Sequence, residues 1–126
     1  EKAALASALE AVAAPFWPRS WRPQDLDFSV AKESVVIVKP SKGLQGRGIH
    51  LAGSPDELRQ ILAADADVVV QEYISRPLLL DGRKWDLRLY ALVVPGYDGG
   101  LRCWLARDGL VRVCTDPYRE PDATNL

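Results

Sequence analysis

Lys39 ends the apolar run Val35-Val-Ile-Val, and a loop with glycines at 43, 46 and 48 follows it before a second apolar run, Ile49 to Ala52. Glycines let backbone N–H groups come close to an anion, and Lys39 and Arg47 add positive charge beside them. A protein can grip the phosphates of a nucleotide this way, although an ordinary hairpin turn would use the same glycines. A second set of charges lies in Lys84-Trp-Asp-Leu-Arg-Leu-Tyr90. If this is a strand, Lys84, Asp86 and Arg88 share one face, with Trp85, Leu87 and Leu89 on the other. That face is either solvated and laced by ion pairs or the floor of a polar ligand site. Arg112, set among Leu110, Val111 and Val113, needs water or an anionic partner such as a phosphate or a carboxylate.

Other chemistries find less support. The glycine spacing fits neither the dinucleotide nor the P-loop pattern. There is no Cys/His cluster and His50 is the only histidine, so a zinc site lacks support, and Ser34, Ser41 and Ser54 have no histidine base nearby in sequence for a triad. Cys103 and Cys114 are too few for a disulfide scaffold and read as reduced, buried thiols.

The elements that must hold these residues follow from local pattern. The Ala-rich opening reads as a helix from Lys2 to Ala14, stopped by Pro15. An irregular segment, Pro15 to Asp27, follows, pinned by Phe16, Trp17 and Trp21. Val35 to Lys39 and Gly48 to Ala52 are strands. Ser54-Pro-Asp-Glu57 opens a helix, with Ser54 as cap and Pro55 at the first helical position, burying Leu58, Ile61 and Leu62. Asp67 to Ile74 is a strand whose Gln-Glu-Tyr-Ile end could be a plain strand end or a linker offering backbone groups to an adenine. Lys84 to Val94, Leu101 to Arg107 and Leu110 to Thr115 read as an antiparallel meander, turned at Asp98-Gly-Gly100 and Asp108-Gly109. Asp108-Gly109 is a two-residue hairpin signal and would set Cys103 opposite Cys114. The class is α+β, without internal repeats.

With 126 residues the chain is one domain or part of one, and its 48% apolar content suffices for a core. A net charge of -1 leaves no footprint for nucleic acid, and no eighteen-residue apolar run spans a membrane. The chain neither starts with nor contains Met, and reads as an excerpt of a longer protein.

Four blocks in order resemble the tubulin tyrosine ligase-like family. They are Val38-Lys-Pro-Ser-Lys-Gly-Leu-Gln-Gly-Arg-Gly-Ile49, Val70-Gln-Glu-Tyr-Ile74, Pro77-Leu-Leu-Leu-Asp-Gly-Arg-Lys-Trp-Asp-Leu-Arg-Leu-Tyr90 and Gly109-Leu-Val-Arg112. Phe16-Trp-Pro-Arg-Ser-Trp21 before them and Thr115-Asp-Pro-Tyr118 after them also fit, so the likeness runs from about Pro15 to Tyr118.

The resemblance implies an ATP-grasp fold, of which residues 1–126 would be a partial domain carrying the glycine-rich phosphate loop and antiparallel strands. It also implies an ATP-dependent ligase that joins an amino acid to a protein carboxylate through an acyl-phosphate. Matched position by position, Lys39 takes the place of a phosphate-binding lysine. Gln45, Gly46, Arg47 and Gly48 match the loop that covers ATP. Gln71, Glu72, Tyr73 and Ile74 match the adenine linker, through backbone groups of Tyr73 and Ile74. Lys84 and Asp86 match further nucleotide contacts. Arg88 takes the place of a clamp on phosphate or acceptor, and Arg112 that of the arginine meeting the amino acid.

The loop Leu44-Gln-Gly-Arg-Gly48 resembles that of the glutamate-adding members. The implied partners are therefore free glutamate and the C-terminal tails of tubulin or microtubules, in a cytoplasmic, cytoskeletal, ciliary or flagellar setting. The Mg2+ ligands of the family lie beyond the matched blocks, and Thr124-Asn125 resembles its later Thr-Asn pair only superficially. A catalytically inactive family member that binds nucleotide and docks on microtubules, and an ATP-grasp ligase with a non-tubulin acceptor, are the alternatives.

Overall fold

The computed structural model describes residues 2–42 and 47–121. They divide into two compact units, one drawn from Glu1–Ser75 and Glu120–Leu126, the other Arg76–Arg119.

The first unit is built on a four-stranded sheet in the order β1-β4-β2-β3, from β1 (Ser20–Trp21), β2 (Val36–Pro40), β3 (His50–Ala52) and β4 (Val68–Glu72). All three pairings are antiparallel. Directly opposed residues share a face, so the register sorts the side chains. Val36, Val38, Ala52, Val68 and Val70 face one way and close a core with Ala31 of α2 (Val30–Glu33) and Leu58 of α3 (Pro55–Ala64). Ile37, Lys39, Val69, Gln71 and Ser20 line the opposite face, from the pairings Ile37↔Gln71, Lys39↔Val69 and Ser20↔Gln71. There α1 (Lys2–Ala11) sets Ala3 and Ala6 against Val69, beside Trp17. The small alanines let the helix lie close to the sheet.

Helix α3 begins as its sequence dictates: the Ser54 hydroxyl accepts from the Glu57 N–H at 3.3 Å. The Glu57 carboxylate reaches back to the Gly53 N–H at 2.9 Å, one residue earlier than a capping box places it. The opening helix ends sooner than expected. Ala13 takes φ 46°, and the Ala13 and Ala14 N–H groups return to the Glu10 and Leu9 carbonyls at 3.0 and 3.1 Å. This is a left-handed helix stop made without glycine, two residues ahead of Pro15. The segment read as irregular also holds order: β1 adds to the sheet edge and Pro23–Asp25 form a short 3-10 turn.

The second unit departs from the expected meander. The run Lys84 to Val94 is two strands, β5 (Trp85–Arg88) and β6 (Ala91–Pro95), broken at Leu89-Tyr90. β6 pairs with β7 (Leu101–Leu105), whereas β5 pairs with β8 (Leu110–Val113). The hairpin β6–β7 is thus nested inside β5–β8. The turn at Asp98-Gly-Gly100 stands, with the Gly96 N–H donating to the Gly100 carbonyl at 2.7 Å. Asp108-Gly109 is no hairpin turn, since neither residue has the positive φ that a type I′ turn needs. It belongs to a bulge in which residues 106–109 oppose Leu89 and Tyr90.

Gly109 is glycine for a different reason: a Cβ there would lie 2.8 Å from the Arg88 carbonyl oxygen. The two-residue turn occurs instead at Asp81-Gly82, with φ 49° and 71° and reciprocal bonds between Leu80 and Arg83 at 3.0 Å. The bulge also overturns the cysteine pairing. Cys103 lies opposite Val93, while Cys114 donates its N–H to the Lys84 carbonyl at 2.8 Å. Both thiols are free and exposed rather than buried.

Candidate functional site

Lys39 stands near the end of β2 on the sheet face that α1 only partly covers. Its ammonium is half-buried and donates to the side-chain oxygen of Gln71 at 2.7 Å. Burial and, secondarily, the like charge of Lys2 hold its pKa below the ordinary lysine value. Lys2 itself donates to the Pro40 carbonyl at 2.9 Å, which brings a second cation to the same strand end. A half-buried ammonium whose short hydrogen bond goes to a neutral amide keeps its full charge for an incoming anion. Phosphate oxygens fit that demand.

The glycine loop is placed in part. Gly48 has φ +69°, the left-handed region that glycine enters without strain, and a Cβ there would lie 2.9 Å from Cγ of Pro40. Arg47 is exposed beside it. Gln45 and Gly46 lie outside the described residues.

The linker residues divide. Gln71 is buried and turns its side chain to Lys39, so its side-chain amide works inside the sheet. Glu72 pairs with Arg19 at 3.6 Å. The Tyr73 N–H, one of the backbone groups of the matched linker, donates to the Val35 carbonyl at 3.1 Å. Ile74 is exposed just past the strand end.

In the second unit, Asp86 and Arg112 are direct cross-strand partners. Nε and Nη2 of Arg112 donate to the two Asp86 carboxylate oxygens at 2.6 and 2.9 Å, a bidentate fork. The hydrogen bond and charge of Asp86 raise the pKa of Arg112 further. The partner that Arg112 required is therefore internal, and three guanidinium N–H groups remain for a second anion. Lys84 sits over the Tyr118 ring at 5.1 Å and Arg88 over the Tyr90 ring at 5.6 Å. The charged face of Lys84 to Arg88 thus combines an ion pair with two aromatic-backed cations.

Sequence reasoning missed Ser20, which accepts from the Gln71 amide nitrogen at 2.8 Å. Nothing local to Ser20 signals this, because the pair is brought together by β1 joining β4. Among the described residues no three His, Cys, Asp or Glu side chains gather as a metal site.

Fold and site together define an α+β protein with a half-buried lysine at the end of a sheet strand and a ribbon carrying an arginine braced by an aspartate. The chain belongs to the tubulin-tyrosine ligase family, whose model matches residues 14–126. It is 42% identical over 124 residues to tubulin polyglutamylase TTLL11 of Homo sapiens, covering 88% of this chain and 17% of the relative. It is 39% identical over 116 residues to tubulin polyglutamylase TTLL13 of Homo sapiens, covering 87% and 14%. A probable beta-tubulin polyglutamylase of Tetrahymena thermophila is 36% identical over 119 residues, covering 88% and 10%. The chain thus spans less than a fifth of these relatives' length.

Proposed function

We propose that the chain is the nucleotide-gripping portion of an ATP-dependent protein–amino acid ligase, a partial ATP-grasp domain. In this reading the protein adds glutamate to carboxylates of tubulin tails and works in the cytoskeleton, cilia or flagella included. The observation that carries it is Lys39, half-buried and bonded at 2.7 Å to a neutral amide, within a chain of the tubulin-tyrosine ligase family. Relatives named as polyglutamylases support glutamate as the amino acid.

The chemistry asks for charge placement more than for a strong base. An acceptor carboxylate oxygen attacks the terminal phosphorus of ATP and ADP leaves. The amine of the incoming amino acid then attacks the acyl carbon, phosphate leaves, and the nitrogen gives up a proton. Lys39 would hold and neutralise phosphate oxygens as their charge redistributes, with Arg47 and Gly48 of the loop beside them. Arg112, its fork fixed on Asp86, would direct its remaining N–H groups to the carboxylate of the amino acid. Lys84 and Arg88 would provide cationic contacts to nucleotide and acceptor. Mg2+ would supply further neutralisation from ligands outside the matched blocks.

The test supplies the full-length protein with ATP, magnesium, tubulin and equal glutamate, glycine and tyrosine, and reads the tubulin tails by mass spectrometry. Added glutamate is expected, and Lys39→Ala should abolish it. Glycine or tyrosine would replace the amino acid assignment. No addition despite ATP binding would overturn the ligase reading in favour of a nucleotide-binding scaffold or another acceptor.

A further inference from the structure

We infer that Ser20 is a positioning residue for the Lys39 ammonium, acting through the side-chain amide of Gln71. The inference deepens the proposed nucleotide site and rests on that reading for its functional consequence.

Four groups form one directional chain. Lys39 Nζ donates to Gln71 Oε1 at 2.7 Å, Gln71 Nε2 donates to Ser20 Oγ at 2.8 Å, and Ser20 Oγ donates to the Pro18 carbonyl at 3.0 Å. A longer contact, 3.4 Å, runs from Gln71 Nε2 to the same carbonyl. Each link fixes the next. A carbonyl only accepts, so the Ser20 hydroxyl commits its proton there and is left to accept from the amide nitrogen. The amide nitrogen must then point to Ser20, which turns the amide oxygen to Lys39. The ammonium only donates, so the opposite flip of the amide would set donor against donor at both of its ends.

Gln71 is 5% exposed and has little room to turn. The residues come from three neighbouring strands, β1, β4 and β2, which are hydrogen-bonded in that order. Ser20 and Gln71 are direct register partners, so the serine is delivered by the pairing itself.

The choice of glutamine also has a consequence. A glutamate at 2.7 Å would neutralise the ammonium and compete with phosphate, whereas an amide oxygen orients it and leaves its charge intact. The short strand β1, which looks like a mere edge addition, thereby sets the aim of the lysine.

The experiment uses the full-length protein and its Ser20→Ala, Ser20→Thr and Gln71→Glu variants. Nitrogen-15 lysine NMR follows the protection of the Lys39 ammonium protons, and calorimetry compares ATP with adenosine. Protection should be lost in Ser20→Ala and restored in Ser20→Thr, which keeps the hydroxyl. ATP affinity should fall about 3- to 10-fold in Ser20→Ala, in line with losing one hydrogen bond's net contribution. Adenosine affinity should not change, because it carries no phosphate. Gln71→Glu should also weaken ATP binding, because its carboxylate would neutralise the ammonium.

Unchanged Lys39 protection in Ser20→Ala overturns the positioning role whatever ATP does. Equal losses for ATP and adenosine would make Ser20 a structural strut and overturn it too. If the wild type keeps Ser20-dependent protection but binds no ATP, the positioning stands and the nucleotide reading fails.

Discussion

Replacing Gly48 by alanine tests how the loop is closed at its far end. Two costs follow from the geometry. At φ +69° an L-residue with a Cβ is disfavoured, by about 1–2 kcal/mol. The new Cβ would also sit 2.9 Å from Cγ of Pro40, inside ordinary contact. Pro40 can give way only through the pucker of its ring, since its backbone is held in β2 and its carbonyl accepts from the Lys2 ammonium at 2.9 Å. Forcing that contact apart costs roughly 1–3 kcal/mol. Against this, alanine reduces the freedom of the unfolded chain, which returns about 0.4–1 kcal/mol.

The net expectation is a loss of about 1–5 kcal/mol. It would be read as a lower urea midpoint with an unchanged denaturant slope. Measured without nucleotide, the loss isolates conformation from any role in approaching an anion. Gly48→Asn should lose less, since asparagine tolerates the left-handed region while keeping the Cβ. Alanine as stable as glycine would refute the argument. Equal losses for alanine and asparagine would remove the φ contribution and leave only the contact with Pro40.

Two further outcomes are expected. The Arg112 and Asp86 side chains are 62% and 56% exposed, so a double-mutant cycle in urea should give a coupling below about 1 kcal/mol. Arg112→Ala should nevertheless raise the apparent KM for the amino acid, and Arg112→Lys should not restore it, because an ammonium cannot form the fork. The second concerns pH. The pKa of Lys39 lies below 10.5 in the fold. Between that lowered value and the ordinary one the unfolded chain binds more protons, so this residue's contribution makes stability rise with pH through the window. Phosphate favours the ammonium, so ATP binding should take up a proton there and weaken as pH rises. Calorimetry in two buffers of different ionisation heat reads that proton, and Lys39→Ala should abolish it.

Local rules that act within a few residues made much of the chain legible. Ser54 and Pro55 announced α3, and the apolar runs announced β2 and β4. The order of the four blocks pointed to the tubulin-tyrosine ligase family, whose model matches most of the chain. The same rules failed where the meaning of a dipeptide depends on distant partners. Asp81-Gly82 and Asp108-Gly109 look alike in sequence, yet only the first has φ positive at both residues. The second is held in a bulge because β5 chose β8 as its partner, a choice made by pairing across more than twenty residues.

The site divides in the same way. Lys39 could be picked out because a lysine that ends an apolar strand before glycines is unusual. That its partner is Gln71, that Ser20 stands behind Gln71, and that Arg112 forks onto Asp86 were decided by sheet register. Sequence alone determined which residues carry charge and which segments extend or coil, because these depend on side-chain type and neighbouring backbone. Only the tertiary structure decided which charges meet, because strand pairing joins positions that the chain holds far apart.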